Sequence, residues 1–262
     1  MTGTIAIVRH EIAERWVAWP IALVLGGLPL LALAMLGGAD APAESCLGTI
    51  ASVGATGLVS ASWVAAMGIG VALIGRPLHE RRISFYFARP IATGAVAAGK
   101  LLGGLVLVTG IEGLLWGPMA AYLGSPRCIS FMLAPALACL GVGLVIGVAA
   151  RSRSRWLAID AAGLAAFAGE LVLLAHRVGL IHGPTARDAW TSRPVDGHPE
   201  LSVHIDRIWL GLGTISVIAL FSAAAVAVVI GRTDRERAHA ALSQVLWPML
   251  IAAGAAALAF CR

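Results

Sequence analysis

Residues 73–102 read LIGRPLHERRISFYFARPIATGAVAAGKLL: five basic groups, Arg76, Arg81, Arg82, Arg89 and Lys100, and the aromatic triplet Phe85-Tyr86-Phe87, set between two long apolar runs. Gly48–Gly75 precedes the charged part and Leu101–Leu123 follows it. Each run is long enough to cross ~30 Å of hydrocarbon, which takes about 20 apolar residues at helical rise. A polar stretch between two such runs is a loop joining two membrane helices, and the same alternation recurs along the chain. Val17–Leu36, Ser130–Ala150, Leu157–Leu180, Trp209–Ile230 and Leu242–Cys261 are further runs, making seven expected spans. The composition agrees: 59% of the 262 residues are hydrophobic, 13% are charged and the mean hydropathy is +0.87. The 31 glycines and 12 prolines are scattered through the apolar runs, as in membrane helices. With no alternating barrel pattern, every span must satisfy its backbone internally, so the expected fold is an all-α polytopic membrane protein.

Charge gives the expected orientation, because Lys and Arg accumulate in cytoplasmic loops. Residues 1–16, 76–100, 151–156 and 231–242 hold 13 basic groups. The alternate side holds six: Arg127, Arg177, Arg187, Arg193, Arg207 and Arg262. The N-terminus is therefore expected in the cytoplasm and Arg262 outside, in a cell inner membrane. Trp16, Trp19, Trp156, Trp209 and Trp247 fall near the ends of runs, where indoles favour the headgroup level. A net charge of +5 spread over short loop clusters does not make a nucleic-acid surface, and no nucleic acid is expected as a partner. Eighteen Arg to one Lys, with no Asn and one Gln, suggests a GC-rich bacterial genome.

Residues 1–16 carry acids and lack a signal-peptide cleavage site. Ile5, Val8, Ile12 and Trp16 fall on one helical face, which predicts an amphipathic helix along the cytoplasmic membrane surface. A helical extension of the first span is the plainer alternative. The 25-residue loop 76–100, broken by Pro90, is long for a simple turn and suggests a short helix that docks on a partner. Anchoring to anionic headgroups is the alternative use of its arginines.

The N-terminal segment RHEIAERW, a first span, and the wording LIGRPLHERRISFYFARPIATGAVAAGKLL after the second span together resemble the permease subunit of type-2 ABC transporters. The resemblance covers residues 1 to about 235 in layout, with its specific wording confined to residues 73–102. It implies a six-helix core, residues 17–235, that forms a homodimer or heterodimer and works with separate cytoplasmic ATP-binding subunits. On that resemblance Glu80, Arg81, Arg82, Phe85, Arg89 and Pro90 are ATPase-facing in a coupling loop. The N-terminal helix, with Arg9, Glu11 and Glu14, packs beside them. The chain departs from the simplest pattern in carrying a seventh span within residues 236–262. The expected function is that of a permease subunit of an ATP-driven exporter, with no catalytic residues, cofactor or metal of its own. An ion-coupled secondary transporter or a non-transport membrane scaffold is the alternative.

Two motifs come close to known chemistry and miss it. Gly94–Lys100 matches seven positions of the phosphate-binding loop, but the eighth is Leu101, which has no hydroxyl for Mg²⁺. His10-Glu11-Ile12-Ala13-Glu14 has Glu where a zinc protease helix needs its second His, so a solvated charged face is the expected use of these residues. Glycine pairs at small-xxx-small spacing, Gly99/Gly103, Gly113/Gly117 and Gly143/Gly147, are expected at close helix contacts. Within the spans, Glu112 and Glu170 lie near the middle and Asp160 nearer the cytoplasmic end. Each is either a polar coupling site or an acid hydrogen-bonded to a neighbouring helix. The outer loop 181–208 is expected, by resemblance, to form a pair of short helices. Its histidines and acids match no metal-ligand spacing. Cys46 and Cys128, assigned to outer loops, are the pair expected to bridge if any does.

Overall fold

The computed structural model describes residues 2–36, 44–79, 91–123, 127–149, 156–177, 190–195, 198–203, 207–232 and 234–260. They form eight helices: α1 (Thr2–Glu14), α2 (Ala18–Leu36), α3 (Glu44–His79), α4 (Thr93–Leu123), α5 (Arg127–Ala149), α6 (Trp156–Arg177), α7 (Arg207–Gly231) and α8 (Arg235–Phe260). Between α6 and α7 lie two strands, β1 (Trp190–Val195) and β2 (His198–Val203). Among the described residues six helices, α3 to α8, are long and apolar enough to cross a membrane, so the chain is a polytopic membrane protein. The first expected span is present as α2, whose described apolar part, Ala18–Leu28, is shorter than a full crossing.

Several helices outrun their apolar cores. α4 begins at Thr93 rather than Leu101, because Ala95, Ala97 and Ala98 favour helix and the N–H groups of Ala95 and Val96 close onto the Ala92 carbonyl. Lys100 is therefore a helical residue and not part of a loop. Gly94–Lys100 is one continuous piece of helix, which removes the strand-to-helix turn a phosphate loop needs. α8 begins at Arg235 rather than Leu242, since Asp234 Oδ1 accepts the Glu236 and Arg237 backbone N–H groups at 3.0 and 3.3 Å and caps the helix. Cys46 and Cys128 fall inside α3 and α5, not in loops. Their proposed bridge involves side chains outside the described residues.

The hairpin corrects the expected pair of short outer helices. β1 pairs antiparallel with β2 from Trp190↔Val203 to Val195↔His198. The two intervening residues are Asp196 and Gly197, a dipeptide strongly favoured in two-residue hairpins.

Helix α3 runs parallel to α5 with their backbones in contact. A Cβ added at Gly70 would collide with the Leu140 carbonyl, and one at Gly143 would collide with that of Met67. Gly147 meets α3 again near Gly75, so the Gly143/Gly147 pair forms the expected seam. At Gly113 and Gly117 an added Cβ would meet nothing within 4 Å, so these two are not a packing pair. α4 packs on α3 and α5 and carries α1 and α2 on its far side, while α7 lies between α5 and α8. The main core joins α3, α4, α5, α7 and α8, where Ala219, Ala223, Ala224 and Ala227 let α7 approach closely. Leu242, Leu246 and Leu250 of α8 belong to the same core, which makes the seventh expected span an integral part of the bundle. α6 is peripheral: it packs mainly on α8 and leaves Leu157, Leu164 and Val172 exposed.

Because successive helices alternate in direction, α1, the end of α3, and the starts of α4, α6 and α8 share one end of the bundle. Two clusters of polar contacts lie at that end.

Candidate functional site

Helix α1 separates from α2 at residues 15–17, where the Arg15 N–H returns to the Ile12 carbonyl and the Ala18 N–H to that of Arg15. It is not an extension of the first span. It lies against the start of α4, whose glycines make room for it. A Cβ at Gly99 would meet Ile7 Cβ at 2.8 Å, and one at Gly103 would meet Glu11 Cβ at 3.0 Å. The face that packs therefore runs through Thr4, Ile7 and Glu11. The stripe expected from the sequence turns the other way: Ile5 and Trp16 are exposed, and Val8 and Ile12 are half-buried flanks.

Glu11 corrects the expectation of a solvated charged face. It is 2% exposed, and Lys100 facing it is 1% exposed. Lys100 Nζ donates to Glu11 Oε1 at 2.6 Å and to the Leu73 carbonyl of α3 at 3.1 Å. Arg15 donates to the other Glu11 oxygen and to the Glu11 carbonyl. A buried ammonium is tolerable only when paired and hydrogen-bonded, and Lys100 meets that need by binding three helices together. Burial pushes the Glu11 carboxyl up, but the charges and hydrogen bonds of Lys100 and Arg15 outweigh it and hold the group below the usual glutamate value. Glu14 is the second acid of α1 and lies 3.7 Å from Arg15, while Arg9 is exposed on the opposite side.

At the start of α1, a Cβ on Gly3 would lie 3.5 Å from Ile91 Cγ2, so α1 touches the chain where it emerges from residues 80–90. Glu80, Arg81, Arg82, Phe85, Arg89 and Pro90 themselves lie outside the described residues. The structure thus describes the root of this loop and the clamp around it, formed by α1, α3 and α4.

A second cluster joins α6 to α8. Asp160 Oδ1 accepts from Ser243 Oγ at 2.6 Å and from Trp247 Nε1 at 2.7 Å, and Asp160 Oδ2 meets His239 Nε2 at 2.6 Å. His239, Ser243 and Trp247 rise at successive turns of α8, so one face of one helix fills the carboxyl. Hydropathy alone hides this set, because it starts the helix at Leu242. The signal lies in the i, i+4, i+8 spacing of three hydrogen-bonding residues, which shows only once the helix is extended to Arg235. Trp247 and Trp19 are not headgroup anchors. Trp247 is buried against Gly163 and Asp160, and the Trp19 indole rests on Gly110 of α4.

The two mid-span acids differ. Glu112 is fully buried and accepts from Ser62 Oγ of α3 at 2.5 Å and from Trp116 Nε1 at 2.9 Å, so both of its oxygens are engaged. Glu170 turns Oε2 onto Gly254 of α8, and that oxygen is buried with no hydrogen-bond partner among the described residues. No group of three or more His, Cys, Asp or Glu among the described residues is arranged to hold a metal ion.

The chain matches no family model, no curated protein and no solved structure. Through Lys100 the start of α4 is bonded to α1 and to the end of α3.

Proposed function

We propose that this chain is the transmembrane permease subunit of an ATP-driven exporter in the manner of type-2 ABC transporters, with hydrolysis carried out by a separate cytoplasmic ATP-binding subunit. The observation that carries the reading is the Glu11–Lys100–Leu73 junction at the root of the segment between α3 and α4. A partner that closes on residues 80–90 pulls on the end of α3 and the start of α4. Through Lys100 it moves α1 with them, and the rigid glycine seam carries the motion from α3 into α5. In this reading Glu80, Arg81, Arg82, Phe85, Arg89 and Pro90 meet the ATPase. The chain sits in the inner membrane with its N-terminus in the cytoplasm, and two permease chains pair across the transport path.

The test is recovery of a partner from membranes. A tagged wild-type chain is expected to bring down a protein with ATP-hydrolysing activity, and the Glu80→Ala, Arg81→Ala, Arg82→Ala triple variant is expected to lose it while remaining in the membrane. Equal recovery by both chains, or an ATPase on neither, rejects the proposal. So does labelling of a cysteine at position 85 by an impermeant reagent added outside intact cells.

The unpartnered Glu170 oxygen favours a second reading, a secondary transporter in which this carboxyl carries a coupling ion. It predicts transport that is abolished by Glu170→Gln and that persists without any ATPase.

A further inference from the structure

The ion pair at Glu11 does more than hold α1 down: it sets the helix's roll. With Thr4, Ile7 and Glu11 turned onto α4, the opposite face of α1 presents residues 5, 9 and 13, and Trp16 is exposed in the turn that follows. Ile5 is 56% exposed and Trp16 is 62% exposed, and exposed apolar side chains continue through Val17 to Ile21, Val24 and Leu28 of α2. Since α2 is the expected first span, the exposed apolar surface of a membrane helix reaches the end of α1.

In the middle of that face stands one cation, Arg9, which is exposed. Its helical neighbours at i±3 and i±4 are Ala6, Ile12, Ile5 and Ala13, none of them an acid. The two carboxylates of α1 are engaged elsewhere, Glu11 by Lys100 and Arg15 and Glu14 by Arg15. Arg9 has no ion pair among the described residues. Arg9 stands between Ile5 and the exposed Trp16 in sequence, and an arginine among apolar side chains on a helix at a membrane surface meets the level where acyl chains give way to phosphates. Its planar fork matches the oxygens of a phosphate.

We propose that the outer face of α1 is a phospholipid site, in which Arg9 binds the headgroup phosphate of an anionic lipid while Ile5 and Trp16 enter its acyl region. Arg9 is then a lipid contact and not an ATPase contact. The site does not depend on the exporter reading, because its ligand is the bilayer itself.

The experiment uses the full chain in nanodiscs of phosphatidylcholine with or without phosphatidylglycerol, with lipids retained after release counted by native mass spectrometry. Wild type is expected to retain phosphatidylglycerol over phosphatidylcholine. Arg9→Gln is expected to reduce that preference about fivefold, the effect of one basic group at an anionic surface, and Arg9→Lys to keep part of it. Unchanged preference in Arg9→Gln overturns the proposal, as does equal suppression of retention in wild type by inorganic phosphate, which would make the site one for a free anion. A photo-cross-linking residue at Ala13 in native membranes is expected to form a phospholipid adduct. Adducts only with a second copy of the chain, or only with a soluble partner, assign this face to protein and end the lipid site. None of these readouts requires an ATPase, so failure here and failure of the exporter reading remain separate results.

Discussion

Lys100 and Asp160 are both ionisable side chains lodged between helices at the same end of the bundle, yet they are held in opposite ways. Lys100 is a buried cation that donates to the Glu11 carboxylate of α1 and to the Leu73 carbonyl of α3, two elements far apart in sequence. Asp160 is a single acceptor served by three donors, all from α8. In the first arrangement, losing Glu11 takes the carboxylate away from a buried ammonium, and losing Lys100 leaves Glu11 with Arg15 alone. The second is redundant by construction. A junction of the first kind couples elements tightly, and one of the second kind keeps two helices in register while tolerating the loss of a bond.

The largest expected effect comes from breaking the first kind. Lys100→Met leaves the buried Glu11 carboxylate with Arg15 as its remaining partner and is expected to lower stability by about 3 kcal/mol, read as a lower unfolding temperature in detergent. Adding Glu11→Gln to Lys100→Met is expected to recover much of that loss. If the double variant is no more stable than the single one, the account from a buried carboxylate short of a partner is wrong. Asp160→Leu, which deprives three donors at once, is expected to cost about 2 kcal/mol in the same measurement. Removing one donor with Ser243→Ala is expected to cost only ~1 kcal/mol, since two donors remain on Asp160. A Ser243→Ala loss as large as that of Asp160→Leu would show that the donors are not redundant and dissolve the contrast.

The smallest expected effect is on pH. The folded Glu11 carboxyl is held below its ordinary value, so its contribution is fully present above the usual glutamate range and is lost as pH falls through the lowered value. Docking of α1, followed by the distance between spin labels at Gly3 and Ile91, is expected to persist at neutral and mildly acid pH and to weaken only in stronger acid. In Glu11→Gln the acid-dependent step disappears. An acid step that survives this substitution has another origin.

Much of this architecture is legible in the sequence, and the exceptions share a cause. Apolar run lengths locate six spans that reach crossing length in the structure, and the Gly99/Gly103 and Gly143/Gly147 spacings mark close contacts. Gly113/Gly117 fails because the same spacing in a glycine-rich chain carries no information about which face meets a neighbour. Run length places the starts of α4 and α8 too late, because hydropathy reports where lipid begins, whereas hydrogen bonding and capping decide that helix begins at Thr93 and Arg235. That single error hides both polar clusters, since it leaves Lys100 and His239 in loops. On α1, periodicity finds an apolar stripe but not its direction. The helix buries the face with Glu11 because Lys100 stands there to pair with it.

What the sequence determined by itself is that this chain crosses a membrane several times as helices, because backbone groups in hydrocarbon leave no other arrangement and run length is a local property. The two polar junctions, and the roll of α1 that turns Arg9 outward, were decided only by tertiary structure. They depend on pairs such as Glu11 with Lys100 and Asp160 with His239. Nothing local in a one-dimensional pattern says which distant charge will be buried against which.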